Sequence, residues 1–482
     1  MEVPPAESGA RFNLGHVWLI SAVAAMGGLL FGYDWVVIGG AKPFFEPFFG
    51  LTTEAVRGWA MSCALVGCLV GALFTGGLSD KFGRKRLLVA AALLFAASSV
   101  LTGWAASFTL FVLFRILGGV AIGMASNLSP VYIAEVSPAH LRGRLVTLNQ
   151  LAIVIGILAA QIANWLIARP VPDGAGAELI RASWNGMLGW RWMFTAVAVP
   201  ALLFFAGALF IPESPRWLVK RGRPERARRV LARIGGAVYG DSETAAIQGT
   251  ISREETGRVR FGGFLEPRMR KILFIGVCLA VLQQWSGINV IFNYAEEVFR
   301  AAGYGVSSIL FNIVITGAVN LVFTIIAIRT VDRFGRRVLM LIGCAGIALF
   351  HALIGLGYFF RLEGPAVVIC VLASIASYAL SLAPITWVLI SEIFPNRIRG
   401  AAVSVATSAL WTACFVLTYT FPLLNGALGP AFTFWLYSAI CLAGFVFIKL
   451  RVPETKGKSL ETIERELGDD ADRAAPKSTK KA

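Results

Sequence analysis

The sequence predicts an all-α membrane protein of twelve transmembrane helices, arranged as two pseudo-symmetric six-helix bundles with short helices on the cytoplasmic side. Three observations predict it. Apolar runs near the length needed to cross a bilayer, about 20 residues, recur along the whole chain. A hydrophobic fraction of 57% with only 15% charged residues over 482 positions exceeds what a soluble core requires. Two polar strings also recur about half a chain apart. Gly77-Leu78-Ser79-Asp80-Lys81-Phe82-Gly83-Arg84-Lys85-Arg86 is echoed by Thr330-Val331-Asp332-Arg333-Phe334-Gly335-Arg336-Arg337, and Ala134-Glu135-Val136-Ser137-Pro138-Ala139-His140-Leu141-Arg142-Gly143 by Ser391-Glu392-Ile393-Phe394-Pro395-Asn396-Arg397-Ile398-Arg399-Gly400. Each string sits at the matching place in its half, which is the mark of a duplication.

The first six runs are read at 17–39, 58–79, 87–106, 108–130, 146–168 and 191–211. The second six follow at 271–294, 307–329, 338–360, 365–391, 401–423 and 430–450. This divides the chain into a first bundle (1–211), a cytoplasmic linker (212–269), a second bundle (270–450) and a cytoplasmic tail (451–482). In the linker, Arg223-Pro224-Glu225-Arg226-Ala227-Arg228-Arg229-Val230-Leu231-Ala232-Arg233-Ile234 is amphipathic, with proline at a first helical turn, and predicts a short helix. Pro170, Pro172, Asp173, Gly174 and Gly176 mark one longer outer loop. The 50 glycines and 20 prolines suit close-packed and locally broken membrane helices.

A net charge of +16 would suit a nucleic-acid partner, but its distribution does not. Lys81, Arg84, Lys85, Arg86, Arg142, Arg144, Arg333, Arg336, Arg337, Arg397 and Arg399 fall in short connections of one side, and Arg216, Lys220, Arg221, Arg223, Arg226, Arg228 and Arg229 fill the linker. The positive-inside rule puts these, and with them both termini, in the cytoplasm, facing lipid headgroups rather than nucleic acid. Glu2, Glu7 and Asp34 argue against a cleavable signal at the N-terminus. The seven cysteines, Cys63, Cys68, Cys278, Cys344, Cys370, Cys414 and Cys441, all fall inside apolar runs without zinc-type spacing, so they read as packing residues and no metal or cofactor is implied. His16, His140 and His351 are scattered and no nucleophile–base arrangement is visible, which disfavours an enzyme.

Two charges stand inside apolar runs, Asp34 and Arg115. A charge at mid-bilayer costs at least ~2.5–3.5 kcal/mol, so each needs a cavity and a partner, and they are candidates for one another. Paired, Asp34 stays ionised; with the guanidinium moved away, burial favours the neutral acid and Asp34 binds a proton. A static ion pair is the other reading, against which the second half has no counterpart pair. A second group consists of amides and an indole: Gln161, Gln283, Gln284, Asn289, Asn320 and Trp387. A lone glutamine serves as glue between helices. Several amides with an indole and no acidic cluster are the kit for a neutral, hydroxyl-rich ligand, because amides both donate and accept and an indole offers a flat apolar face. In the cytoplasmic strings, Asp80 and Asp332 can cap or pair at helix ends, and Arg84, Arg142, Arg336 and Arg399 offer forks to Glu135, Glu392, Glu213 and Glu454. With Arg216, these are candidate latches that form when the halves close and break when they part.

At these residues the chain resembles the sugar porter family of the major facilitator superfamily, including bacterial sugar–proton symporters and facilitative glucose transporters. The ordered motifs are Gly27-Gly28-Leu29-Leu30-Phe31-Gly32-Tyr33-Asp34, Pro212-Glu213-Ser214-Pro215-Arg216-Trp217-Leu218, Gln283-Gln284-Trp285-Ser286-Gly287-Ile288-Asn289 and Pro453-Glu454-Thr455-Lys456-Gly457. The resemblance implies the major facilitator fold and a secondary transporter, acting as a monomer, that imports a monosaccharide with a proton by alternating access. It implies that Gln161, Gln283, Gln284, Asn289, Asn320 and Trp387 match sugar-contacting positions, with Tyr378 and Trp411 as walls, and that Asp34 and Arg115 match the proton-coupling pair. Facilitative animal relatives typically carry Asn at the position of Asp34. Departures fall at Asn293, where relatives often have Tyr, at Leu410, where an amide is common, and at Trp35, which is bulkier than the usual residue. The compact loops point to a bacterial inner membrane. An uncoupled facilitator and a sugar sensor are the rival readings; the tail after Pro453 is short for a sensor's signalling domain.

Overall fold

A chain segment in hydrocarbon must satisfy its backbone within itself, so apolar segments of this length become helices. The computed structural model describes residues 12–172, 175–256, 267–394 and 399–456, and these are helical throughout their regular structure. The first six crossings comprise α1 (Leu14–Phe49), α2 (Glu54–Phe82), α3 (Arg84–Gly103), α4 (Phe108–Val136), α5 (Arg142–Ile167), and a sixth assembled from a π-helical turn at Asn185–Gly189, α7 (Trp190–Thr195) and α8 (Ala198–Phe210). A short α6 (Ala177–Ala182) precedes the π turn. Asn13, Thr53 and Ser107 cap α1, α2 and α4 by accepting from the backbone N–H of His16, Val56 and Leu110.

The linker forms α9 (Pro215–Lys220), α10 (Pro224–Gly235) and α11 (Ala237–Thr256). Ala227, Leu231 and Ile234, spaced four and three apart, are buried on one face of α10, while Arg226, Arg228, Arg229 and Arg233 are exposed. The indole of Trp217 on α9 donates to the carbonyl of Asp80 at 3.0 Å, which ties the linker to the first polar string.

The second half comprises α12 (Pro267–Trp285), α13 (Ile288–Asn293), α14 (Ala295–Arg300), α15 (Val306–Phe334), α16 (Arg336–Phe359), α17 (Pro365–Leu380), α18 (Leu382–Ile393) and α19 (Arg399–Arg451). Eleven helical spans are long and apolar enough to cross a membrane among the described residues, and the last, Ala402–Arg451, runs for 50 residues. At 1.5 Å per residue that is about 75 Å, more than twice a ~30 Å hydrocarbon core. It bends at Gly429, whose φ of 78° lies outside the helical region, so it supplies two crossings and the total is twelve.

The described residues pack as two compact units, one drawn from Met1–Arg258, Phe292–Leu321 and Thr418–Leu423, the other from Val259–Ile291, Val322–Leu417 and Leu424–Ala482. In the first unit, glycines let backbones touch. A Cβ on Gly32 of α1 would stand 1.9 Å from the carbonyl oxygen of Ile153 on α5, and one on Gly156 of α5 would stand 2.0 Å from that of Leu29 on α1. Between α2 and α4 the same relation holds for Gly67 against Ile116 and Gly119 against Ala64. This is the packing that lipid-embedded helices use in place of a hydrophobic driving force. In the second unit, a Cβ on Gly343 of α16 would meet Ser381 at the junction of α17 and α18.

Four departures from the sequence reading have physical causes. The first helix runs on to Phe49 rather than ending near 39, because Lys42 and Glu46 are buried and paired and Pro43 and Pro47 are carried inside the helix. The seventh span is broken at Trp285–Gly287, with Gly287 at φ 85°. The tenth is broken at Ser381, at φ −132° and ψ −89°. The sixth starts on a π turn.

Gly119→Val is expected to lower the thermal unfolding midpoint of the detergent-solubilised protein, with an overpacking cost of about 1–3 kcal/mol. Gly77→Val, where nothing lies within 4 Å of a new Cβ, should leave it close to the parent value. Equal midpoints for the two variants would refute the packing account.

Candidate functional site

Asp34 lies on α1 and Arg115 on α4, two helices that meet closely where a Cβ on Gly27 of α1 would stand 2.3 Å from Ser129 Oγ of α4. Arg115 Nη1 donates to both carboxylate oxygens of Asp34 at 2.9 Å, and each residue is only 3% exposed. The guanidinium also lies 5.5 Å from the ring centroid of Phe194, an apolar wall that admits its cationic face. Arg115 Nε is buried without a hydrogen-bond partner among the described residues. A cavity of about 10 Å³, room for about one water, is lined by Arg115, Trp35, Ile38, Met61, Cys68 and Asn293, among others. Asn293 Oδ1 is buried and without a hydrogen-bond partner among the described residues. The first unit also holds Gln161, whose Nε2 lies 3.4 Å from Thr316 Oγ1 and whose Oε1 is buried with no partner among those residues, and Asn320, which is 4% exposed.

The second unit holds a relay of amides. Asn289 Nδ2 donates to Gln284 Oε1 at 2.5 Å, Gln284 Nε2 donates to Gln283 Oε1 at 3.3 Å, and Gln283 Nε2 reaches the carbonyls of Leu382 and Ala383 at 3.3 and 3.2 Å. The two helix breaks make it: Gly287 turns the chain between Gln284 and Asn289, and the turn at Ser381 places the first carbonyls of α18 against Gln283. Trp285 anchors the same break by donating to the carbonyl of Ala413 at 3.0 Å. Trp411 is buried and Trp387 is 38% exposed; Tyr378 is partly buried.

In the repeated polar strings the acids cap helices. Gly83 and Gly335, at φ 98° and 93°, provide no side-chain cap to α3 and α16. Glu213 does so for α3, accepting from the backbone N–H of Arg84 and Lys85 at 2.9 and 3.1 Å, and Glu454 for α16, accepting from Arg336 and Arg337 at 2.9 and 3.1 Å. Arg84 then forks onto Glu135 through Nε and Nη2, both at 3.0 Å, with Nη1 3.2 Å from Asp80, while Arg336 Nη2 lies 3.4 Å from Glu392. Each of these contacts lies within one unit. Arg142 and Arg216 are exposed, and the side chains of Asp332 and Arg399 lie outside the described residues.

The first run was read to end at 39, which left out one constellation that the structure brings together, Lys42 with Glu46, Glu296 and Glu297. Among the described residues no group of three or more His, Cys, Asp or Glu is arranged to hold a metal ion.

Comparison with known proteins joins these features to a family. The model described as "Sugar (and other) transporter" matches residues 20–467. The chain is 38% identical over 454 residues to the arabinose-proton symporter of Bacillus subtilis (strain 168), covering 94% of this chain and 95% of that one. It is 38% identical over 485 residues to the D-xylose-proton symporter of Escherichia coli (strain K12), covering 94% and 96%. Among solved structures, the inward open conformation of the xylose transporter XylE from E. coli superposes with a TM-score of 0.81 at 36% identity, over 93% of this chain and 99% of that one. The proton:xylose symporter XylE bound to 6-bromo-6-deoxy-D-glucose gives 0.77 at 37% identity, over 95% and 100%.

Asp34→Ala leaves a guanidinium that cannot shed its charge buried without its carboxylate, at an expected cost of about 3–5 kcal/mol. Adding Arg115→Met should recover most of it. Thermal midpoints of the single and double variants in detergent check this; a double variant no more stable than Asp34→Ala would refute the pairing energy.

Proposed function

The chain belongs to the sugar (and other) transporter family, and from that membership we propose that it is a multi-pass membrane transporter that imports a monosaccharide, a pentose or hexose, together with a proton. The observation that carries the coupling is the buried pair of Asp34 and Arg115. An ionised Asp34 is compensated only while Arg115 holds it; once the guanidinium is drawn away, the carboxylate is left in an apolar surround and takes a proton. Binding and release of that proton then alternate with access to the two faces of the membrane. Inward movement of each charge is driven by about 2.3 kcal/mol per 100 mV of membrane potential, inside negative.

For the sugar we assign the amides of Gln161, Gln283, Gln284, Asn289, Asn293 and Asn320 and the indole of Trp387, with Tyr378 and Trp411 as walls; among these, Gln161 and Asn293 each keep a buried oxygen without a hydrogen-bond partner among the described residues. Amides suit ring hydroxyls because each hydroxyl both donates and accepts. Residues 1–211 and 270–450 act as the two repeats, 212–269 as the linker, and the acid–arginine strings as the parts that hold each repeat's cytoplasmic helix ends during the change. We place both termini in the cytoplasm of a bacterial inner membrane, in contact with its lipids, and the transporter acts as a monomer without a cofactor.

Purified protein in liposomes, given labelled arabinose, xylose, glucose and inositol, is expected to accumulate a pentose or hexose above equilibrium only under an inward proton gradient. Asp34→Asn should abolish accumulation yet retain sugar exchange, and Gln283→Ala should raise KM by tenfold or more. Accumulation that survives Asp34→Asn would refute the coupling role. Equilibration indifferent to the gradient would make the protein a facilitator.

A further inference from the structure

Lys42 is 3% exposed and lies on α1 one turn before Glu46, which is 8% exposed. Its Nζ reaches Glu46 at 3.2 Å, Glu296 at 3.4 Å and Glu297 at 2.5 Å, the last two carried by α14. A short stretch of chain outside the first six crossings is thus held on α1 by a buried cation. The backbones confirm the closeness: a Cβ on Gly39 would meet the carbonyl oxygen of Phe292 at 2.6 Å.

The charges do not balance inside this knot. One lysine faces three carboxylates, and Glu297 Oε2 is buried without a hydrogen-bond partner among the described residues. The charges on the neighbouring elements are already engaged. From α2, Arg57 lies 3.6 Å from Glu46 but is shared with Glu54 at 3.1 Å. On α14, Arg300 pairs with Glu296 at the rim. From α5, the neutral Asn164 is spent on the carbonyl of Val37. From α7, Arg191 donates to the carbonyls of Gly103 and Ala105. With Glu54, Arg57 and Arg300 counted, four carboxylates face three cations.

We propose that Lys42, Glu46, Glu296 and Glu297 form a charge lock that holds residues 292–300 on α1, and that the lock closes most firmly when one of its carboxylates carries a proton. Closure buries the surplus carboxylate beside like charges, which favours its neutral form; opening returns it to water and releases the proton. Burial, set against the pull of Lys42, keeps the Glu297 carboxyl above its usual range in the closed arrangement. A group whose closed-state affinity for protons is raised stabilises closure at acid pH, and that stabilisation fades as pH rises past the ordinary glutamate value of about 4.3 toward the raised one. The lock is distinct from Asp34 in residues and position. If the transport reading is right, it gives the cycle a second dependence on pH that carries no net proton with the sugar.

Hydrogen–deuterium exchange of the full-length protein in detergent, corrected for the intrinsic pH dependence of exchange, tests the lock without measuring flux. Its failure is therefore separable from failure of the transport reading. In the parent, protection of residues 288–303 is expected to fall severalfold between pH 5.5 and 8.5, with residues 142–167 unchanged as a control. Lys42→Met should raise exchange of 288–303 about tenfold at pH 8 and much less at pH 5.5, and Lys42→Met with Glu46→Gln and Glu297→Gln should restore protection and flatten the pH profile. A flat parent profile would overturn the proposal even if Lys42→Met does not fold. Exchange raised equally in 142–167 would also overturn it, by reducing Lys42 to a general stabiliser.

Discussion

Charge inside an apolar helix bundle must be met by opposite charge at contact distance, and this constraint organises the molecule. In hydrocarbon an unmatched guanidinium or carboxylate has no water to fall back on, so its partner must be built into a neighbouring helix. Contact distance in turn requires helices whose backbones nearly touch. The glycines of α1, α2, α4 and α5 provide that approach, and Asp34 and Arg115 lie one or two residues from the points of closest contact. The pair and the packing meet on α1 and α4: a Cβ on Gly27 of α1 would run into Ser129 and Ala125 of α4, and one on Gly118 of α4 would stand 4.0 Å from Asp34 Oδ2.

The duplication shows how the same constraint is solved at the membrane surface. In each half a glycine with positive φ starts a helix that cannot cap itself, and a glutamate from far along the chain supplies the cap, Glu213 to α3 and Glu454 to α16. A carboxylate at a helix N-terminus satisfies orphan N–H groups and the helix dipole together. An arginine of the capped helix then turns to a second acid, Glu135 or Glu392. The halves share this solution and differ in the interior. Asp34, Arg115 and Lys42 belong to the first half, whereas the relay of Gln283, Gln284 and Asn289 belongs to the second. Duplication thus preserved what holds helix ends and left the buried chemistry free to diverge.

The twelve crossings, the amphipathic linker helix and the pairing of Asp34 with Arg115 were legible in the sequence because each depends on a local excess: apolar length, a spacing of three and four, or a charge where none is tolerated. What was not legible depends on contacts between distant segments. The extension of α1 through Pro43 and Pro47 looks like a terminus until Glu296 and Glu297 are seen to pair with Lys42, more than 250 residues away in the chain. The role of Glu213 and Glu454 as caps rather than partners of arginine side chains follows from where the linker and tail return, which no periodicity encodes. The break at Ser381 lies in an uninterrupted apolar run with no proline at the break itself, so length alone read it as one helix.

The helix breaks also explain how a neutral ligand could be felt by the backbone. Asn289 and Gln284 stand on opposite sides of the turn at Gly287 and are joined by a hydrogen bond across it, while Gln283 holds the first carbonyls of α18 at the other break. A ring hydroxyl that takes over the Asn289 amide must displace Gln284, which frees an acceptor that the hydroxyl itself can fill. The exchange is close to isoenthalpic in hydrogen bonds, since one amide–amide bond and two hydroxyl–water bonds are replaced by two amide–hydroxyl bonds and one water–water bond. Its effect is geometric: the bond that spans the turn is lost, and α12 and α13 are then coupled through the ligand rather than directly. A ligand without hydroxyls at that spacing would break the bond and leave both amides unmet, so such a relay discriminates against apolar solutes.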